Sequence, residues 1–207
     1  MNYSFPIMIP IVAEKICHYI TRWYYRLRSP FLAWLWGVRH GSNVLFQGKT
    51  LIRTRQRGEI VLGNNVIFNS DQSTNLVGLI NPTILDTRWG GSIIIGHRTG
   101  FSSVVISSKS SIKIGDRCKI GGNVRIFDHD FHSLDSNHRC TSDDRKNIRS
   151  RSIEIDNDCF IGTNAIILKG TKLGARTIVA AGSVVAGIIA PADSFVRGNP
   201  AVIVKRK

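Results

Sequence analysis

The chain has 207 residues, 43% hydrophobic and 20% charged. That balance excludes a disordered or fibrous protein and makes one globular domain with an appendage the starting expectation. Lys and Arg number 28 against 14 Asp and Glu, a formal charge of +14 with a pI near 10.2. Such a charge points to an anionic partner: nucleic acid, an acidic membrane face or a phosphorylated ligand.

The apolar start, residues 7–13, is too short for a membrane span, is broken by Pro10 and lacks a basic leader, so a cytoplasmic protein is expected. Ile16, Ile20, Trp23 and Leu27 then recur at helical spacing with Arg22, Arg26 and Arg28 between them. This predicts an amphipathic helix over about residues 11–28. Ser29-Pro30 reads as an N-cap and first helical position, opening a second short helix that stops at Gly37. These helices are expected to cap the end of the main fold. Their aromatic and arginine-rich surface also suits peripheral contact with an anionic membrane, the inner face in a cytoplasmic setting.

Arg53, Arg55 and Arg57 alternate as on one face of a strand. No nucleic-acid motif or interleaved aromatics accompany them, so nucleic acid is not an expected partner. From residue 60 the texture changes to a repeat. Ile155, Ile161, Ile167, Leu173, Val179 and Val185 stand six residues apart. Four residues after each of the first five comes a small one: Cys159, Ala165, Thr171, Thr177 and Ser183. The same phase holds upstream at Ile114, Ile120 and Ile126, with Cys118 and Val124 at the small position. Ile95, Phe101 and Val105, and Leu62, Val66 and Phe68, read as earlier copies.

A six-residue period fits neither a helix nor simple strand alternation, but it fits a short extended segment and a tight turn, repeated. A solenoid follows, with aliphatic residues stacked along its axis and small ones at its corners. Glycines 63, 96, 115, 121, 162 and 174, each just after an aliphatic residue, are assigned to the turns. The four cysteines, Cys17, Cys118, Cys140 and Cys159, form no C-x-x-C pair, so reduced thiols are expected rather than disulfides or a zinc site.

The hexads, the Asp128-His129-Asp130-Phe131-His132 segment interrupting them and the closing Gly198-Asn199-Pro200-Ala201 resemble the hexapeptide-repeat acyltransferases. Within that family the chain is most similar to the maltose and galactoside O-acetyltransferases and to those that decorate surface polysaccharides. The resemblance covers about residues 40–207. It implies an all-β solenoid, a left-handed parallel β-helix of triangular section. The implied organisation is an N-terminal helical segment (1–39), a β-helix domain (40–190) with a protruding active-site loop (128–152), and a basic tail (191–207).

The repeat stops at Ile126 and restarts at Ile155, and a long loop on a rigid solenoid is a natural place for a site. Acetyl transfer from a thioester to a hydroxyl needs a base that works near pH 7, which suits histidine. The resemblance makes His129 the general base, with Asp128 or Asp130 orienting its ring and His132 touching the acceptor. It implies acetyl-CoA as donor, lying between solenoids of a homotrimer. Phe160 matches an aromatic beside the cofactor, Thr163 and Ala181 match contacts to the pantetheine arm, and Lys205 matches a base near its phosphates. Arg206 and Arg197 offer further cations. One departure stands out: Ala186-Gly187 replaces a pair in which the family often has a cofactor lysine.

Carbonic anhydrases of the gamma class share this solenoid and hold zinc with three histidines, for which His97, His129 and His132 are the candidates. Their spacing does not reproduce that class, so no metal is expected. The expected function is acetyl-CoA-dependent O-acetylation of a sugar hydroxyl in surface polysaccharide biosynthesis. The alternatives are N-acetylation of an amino sugar or nucleotide-amino sugar, and a non-catalytic solenoid that binds glycan.

Overall fold

The computed structural model describes residues 5–204, without the side chains at 5–11, 14, 15 and 18. Three parallel sheets wind around one axis. The first contains Arg39–His40, Ile60–Leu62, Ser92–Ile95, Ser111–Ile114, Ile153–Ile155, Lys172–Leu173 and Ile189–Ala190. The second and third follow in the same rotation, so each coil contributes one strand to each sheet: Ser111–Ile114, Lys119–Gly122 and Arg125–Phe127 make the fourth coil.

The six-residue period produces this prism because each strand places one residue inward and each corner one small residue. Ile114, Ile120 and Ile126 pair in register with Ile155, Ile161 and Ile167 of the next coil, and all six are buried. Cys159, Ala165, Thr171, Thr177 and Ser183 are buried at the corners, as the repeat requires. Phe46, Phe68 and Phe101 stack along the axis with centroids 5.2 and 4.6 Å apart. In the third coil the inward residue is Ile106 and not Val105, since Ile106 pairs with Ile126 and is the buried one. The strand register shifts at Ile120–Gly122 to accommodate the missing residue.

The corner glycines serve a different purpose from the one the pattern suggested. Gly162 does not have a positive φ; instead, a Cβ there would sit 2.4 Å from the Ala181 amide nitrogen in the next coil. The left-handed conformation falls two residues later, on Asn164 (φ 61°). Stacked coils need the missing side chain, not the extra backbone freedom.

The N-terminal segment is one continuous helix, α1 (Phe5–Leu35), where two were expected. Ser29 Oγ donates to the Tyr25 carbonyl at 2.6 Å and accepts from the Phe46 amide at 2.8 Å. It therefore back-bonds within the helix and holds it to the first coil, instead of capping a new helix. Arg28 adds bonds to the Phe46 and Gly48 carbonyls. Ala33, Leu32 and Trp36 close the end of the core, so α1 caps the solenoid, and it does so with the face opposite the Ile16, Ile20, Trp23 and Leu27 stripe. Ile16, Ile20, Trp23 and Leu27 point outward and are exposed.

At the other end the coil continues past residue 190, where the pattern ended the β-helix. Phe195–Gly198 extends the second sheet, and Ala201–Val204 folds back antiparallel on it.

Candidate active site

Loop 128–152 leaves the third sheet after Phe127 and re-enters the first at Ile153. Its two ends are tied together: Arg151 N donates to Asp128 O, Asp130 N donates to Arg149 O, and His129 bridges Ser150. The loop carries a short helix, α2 (Ser136–Arg139), capped by Asp135, and a single 3-10 turn at 145–147.

Asp128 is the anchor. Its side chain is fully buried and accepts from Ser108 Oγ at 2.8 Å, Lys109 N at 2.7 Å and Ser110 N at 2.9 Å. Its fourth partner is His129 Nδ1, at 3.0 Å. Burial pushes the carboxyl upward, but the bonds from His129, the Lys109 amide, Ser108 and the Ser110 amide outweigh it and hold its pKa below the usual 3.8. An ionised carboxylate only accepts, so Nδ1 must donate to it, leaving Nε2 as the ring atom free to take a proton.

That Nε2 is buried and has no hydrogen-bond partner. Phe131 and Trp89 cover the ring at centroid distances of 4.4 and 5.4 Å, and the Arg145 guanidinium lies 5.9 Å from the Trp89 ring. Phe131 reaches the cluster in a left-handed conformation, φ 63°, which costs about 1–3 kcal/mol for a bulky residue. The second ring nitrogen of an oriented histidine is thus buried beneath an aromatic cover.

The other predicted residues are more dispersed. Asp130 does not orient His129; it forms an ion pair with Lys169 from the next coil, and of the two acids considered only Asp128 touches the ring. His132 is exposed at the loop surface, with Nδ1 2.7 Å from Asp144 Oδ2. Asp144 also accepts from the Ser133 amide at 2.6 Å, and these two bonds, the amide first, lower its pKa. His97 sits at the corner between the first and second sheets and accepts from the Asn64 amide at 2.9 Å, so it does not converge with His129 and His132.

Phe160 is half exposed on the second sheet, between Lys119 and Ile178. Thr163 and Ala181 lie at the corner between the second and third sheets: Thr163 O accepts from Gly182 N, and Ala181 stacks on Gly162. A loop at that corner, residues 71–82, exposes Leu76, Val77 and Ile80 and is pinned through Asn123 to Ile80 N and Gly78 O. His129 occupies the next corner round, one strand away, about 10 Å. A single chain therefore does not bring His129 together with these residues. Lys205 and Arg206 lie outside the described residues.

The sequence reading missed Trp89 and Phe131 as neighbours of the histidine, and Ser108 and Lys169 as the partners of Asp128 and Asp130. The repeat contained a signal for two of them, because strand pairing places Ser107, Phe127 and Leu168 in one register. Ser108, Asp128 and Lys169 are the next residues of those three coils and form a column.

A solenoid of hexapeptide repeats with an oriented histidine in a corner loop is an arrangement suited to acyl transfer. Residues 152–187 match the family described as bacterial transferase hexapeptide (six repeats), and residues 93–127 match the hexapeptide repeat of succinyl-transferase. Over 174 residues the chain is 33% identical to WbbJ of Escherichia coli K12, described provisionally as a lipopolysaccharide biosynthesis O-acetyl transferase; the match covers 80% of this chain and 83% of WbbJ. The chain belongs to the hexapeptide-repeat acyltransferase family, and its solenoid is that family's left-handed parallel β-helix.

Among solved structures, the hexapeptide-repeat acetyltransferase VCA0836 of Vibrio cholerae, complexed with acetyl coenzyme A, is 26% identical. It superposes with a TM-score of 0.54 over 86% of this chain and 75% of that one. AntD of Bacillus cereus, an N-acyltransferase in complex with dTDP-4-amino-4,6-dideoxyglucose and coenzyme A, shares the fold. Its identity is 18% and its TM-score 0.66, over 86% of this chain and 88% of that one.

Proposed function

We propose that the protein is an acetyl-CoA-dependent O-acetyltransferase acting on a sugar hydroxyl in surface polysaccharide biosynthesis, with His129 as general base. The observation that carries the reading is the buried Asp128–His129 pair, which presents Nε2 without a partner. The kinship with WbbJ supports the polysaccharide context, and VCA0836 supports acetyl-CoA as the donor.

The acceptor hydroxyl attacks the thioester carbonyl as its proton passes to Nε2. Backbone amides stabilise the tetrahedral oxyanion, and its collapse expels the CoA thiolate, which recovers the proton from Nε2. Asp128 holds the ring orientation and stabilises the imidazolium. For the acceptor to reach Nε2, the Trp89–Phe131 cover must give way, and the apolar face of a sugar ring can take over its aromatic contacts. Because His129 and the pantetheine candidates occupy different corners of one chain, the complete site needs a second copy to set Phe160, Thr163 and Ala181 against His129, as in a homotrimer. In this reading His132, exposed on the same loop, meets the acceptor, while Lys205 and Arg206 supply charge for the CoA phosphates.

The test combines purified protein, acetyl-CoA and a panel of neutral and amino sugars, read by release of free thiol. His129→Ala should lower turnover about 100-fold or more, the scale of a lost general base, while CoA affinity is retained. An unchanged rate would remove His129 from the mechanism, and turnover confined to amino sugars would replace O-transfer with N-transfer. Absence of CoA binding would favour a glycan-binding solenoid.

A further inference from the structure

We propose that the outward face of α1 docks the protein on an anionic phospholipid bilayer. Helices advance about 100° per residue, so Tyr25, Ser29, Leu32 and Trp36 share the face that closes the solenoid. On the opposite face Ile16, Ile20, Trp23, Leu27 and Trp34 form a second apolar stripe. These five side chains are between 49% and 72% exposed, and Tyr19, Tyr24 and Phe31, also exposed, widen the stripe. A capping helix needs one apolar face; this one has two.

The charge beside the stripe identifies its occupant. Arg22 and Arg26 stand one turn apart between the stripe and the face that closes the solenoid, exposed, and line a groove of about 480 Å³ with Trp23 of the stripe, Pro30 and His40 of the first coil. Arg39 and Arg57 lie next to it, around Trp34, and Arg57 bonds the Trp34 carbonyl at 3.3 Å. The α1 sequence holds Lys15, Arg22, Arg26 and Arg28 against a single acid, Glu14.

A second copy of the chain would bring like charges together along this seam, whereas helix–helix seams normally carry both signs at their flanks. Phosphate headgroups complement the arginines, and tryptophan and tyrosine suit the boundary between headgroups and acyl chains. No helix among the described residues is long and apolar enough to cross a membrane, so the helix would lie in the interface plane. The loop bearing His129 leaves the fourth coil, three coil spacings above the coil that α1 covers. The base would therefore stand about 15 Å above that first coil, facing glycan carried on lipid.

The experiment is flotation of the full-length protein with vesicles of phosphatidylethanolamine and phosphatidylglycerol, and with phosphatidylcholine alone. Binding is expected on the anionic vesicles and is expected to weaken as salt rises. Arg22→Gln with Arg26→Gln should weaken partitioning about 30-fold, from roughly 1 kcal/mol for each basic residue at the surface. Trp23→Ser with Leu27→Ser should abolish it. Both variants should keep the wild-type far-ultraviolet circular dichroism and thiol release with a soluble acceptor, which separates this docking from the transferase reading. Failure to float on anionic vesicles, equal binding to phosphatidylcholine, or variants that float like wild type would overturn the proposal. So would a Trp23/Leu27 variant whose sole defect is loss of oligomers, because the stripe would then belong to a second copy.

Discussion

Replacing Asp128 with Asn tests the site at its anchor, because the new side chain has the old shape and the wrong hydrogens. Oδ1 accepts from Lys109 N and His129 Nδ1, and Oδ2 accepts from Ser110 N and Ser108 Oγ. An amide group turned toward the first pair opposes the Lys109 N–H and forces His129 to accept at Nδ1, which puts the proton on Nε2 and removes the base. Turned toward the second pair, it opposes the Ser110 N–H, although the Ser108 hydroxyl can rotate to accept. Either way one buried backbone amide is stranded, at about 1–3 kcal/mol.

Urea unfolding monitored by circular dichroism should show that loss near neutral pH. A depressed carboxyl pKa contributes stability that is present above the unfolded value and lost as pH falls through the folded one. The gap between wild type and Asp128→Asn should accordingly close as the pH is lowered below about 4. Thiol release should fall about 100-fold or more, with little change in KM for acetyl-CoA. Equal stability from pH 5 to 8 together with unchanged turnover would refute the assignment of Asp128 as the anchor of the base.

Gly162→Ala places a methyl 2.4 Å from the Ala181 nitrogen, so two coils must separate locally, and a loss of about 1–3 kcal/mol is expected in urea unfolding; an unchanged midpoint would show that the stacking tolerates a side chain there. Of the four cysteines, Cys17 and Cys140 are exposed while Cys118 and Cys159 are buried, and the bond with Cys118, with burial, raises the Cys159 pKa. A thiol reagent should therefore label two cysteines on the folded protein and four after denaturation. Rapid labelling of all four would contradict the packed core.

The six-residue rhythm was enough to read the prism, because each coil repeats one local solution and the small corner residues announce where the chain turns. The loop that carries Asp128-His129 was legible for a related reason, since it sits where that rhythm breaks; the choice of His129 within it came from the family resemblance. The aromatic cover was not legible, since Trp89 belongs to a coil two turns earlier in the chain and meets His129 only because corners stack. The same stacking handed Asp130 to Lys169 and left Asp128 alone with the ring. In α1, helical spacing located the apolar stripe of Ile16, Ile20, Trp23 and Leu27 but not the second apolar face, the one that covers the core. A helix with two apolar faces carries the same periodicity for both, and only docking on the first coil, through Ser29, Ala33 and Trp36, decided which one is covered. Local periodicity thus settles the path of the backbone, while contacts between residues distant in the chain settle which side chains are shielded, paired or left exposed.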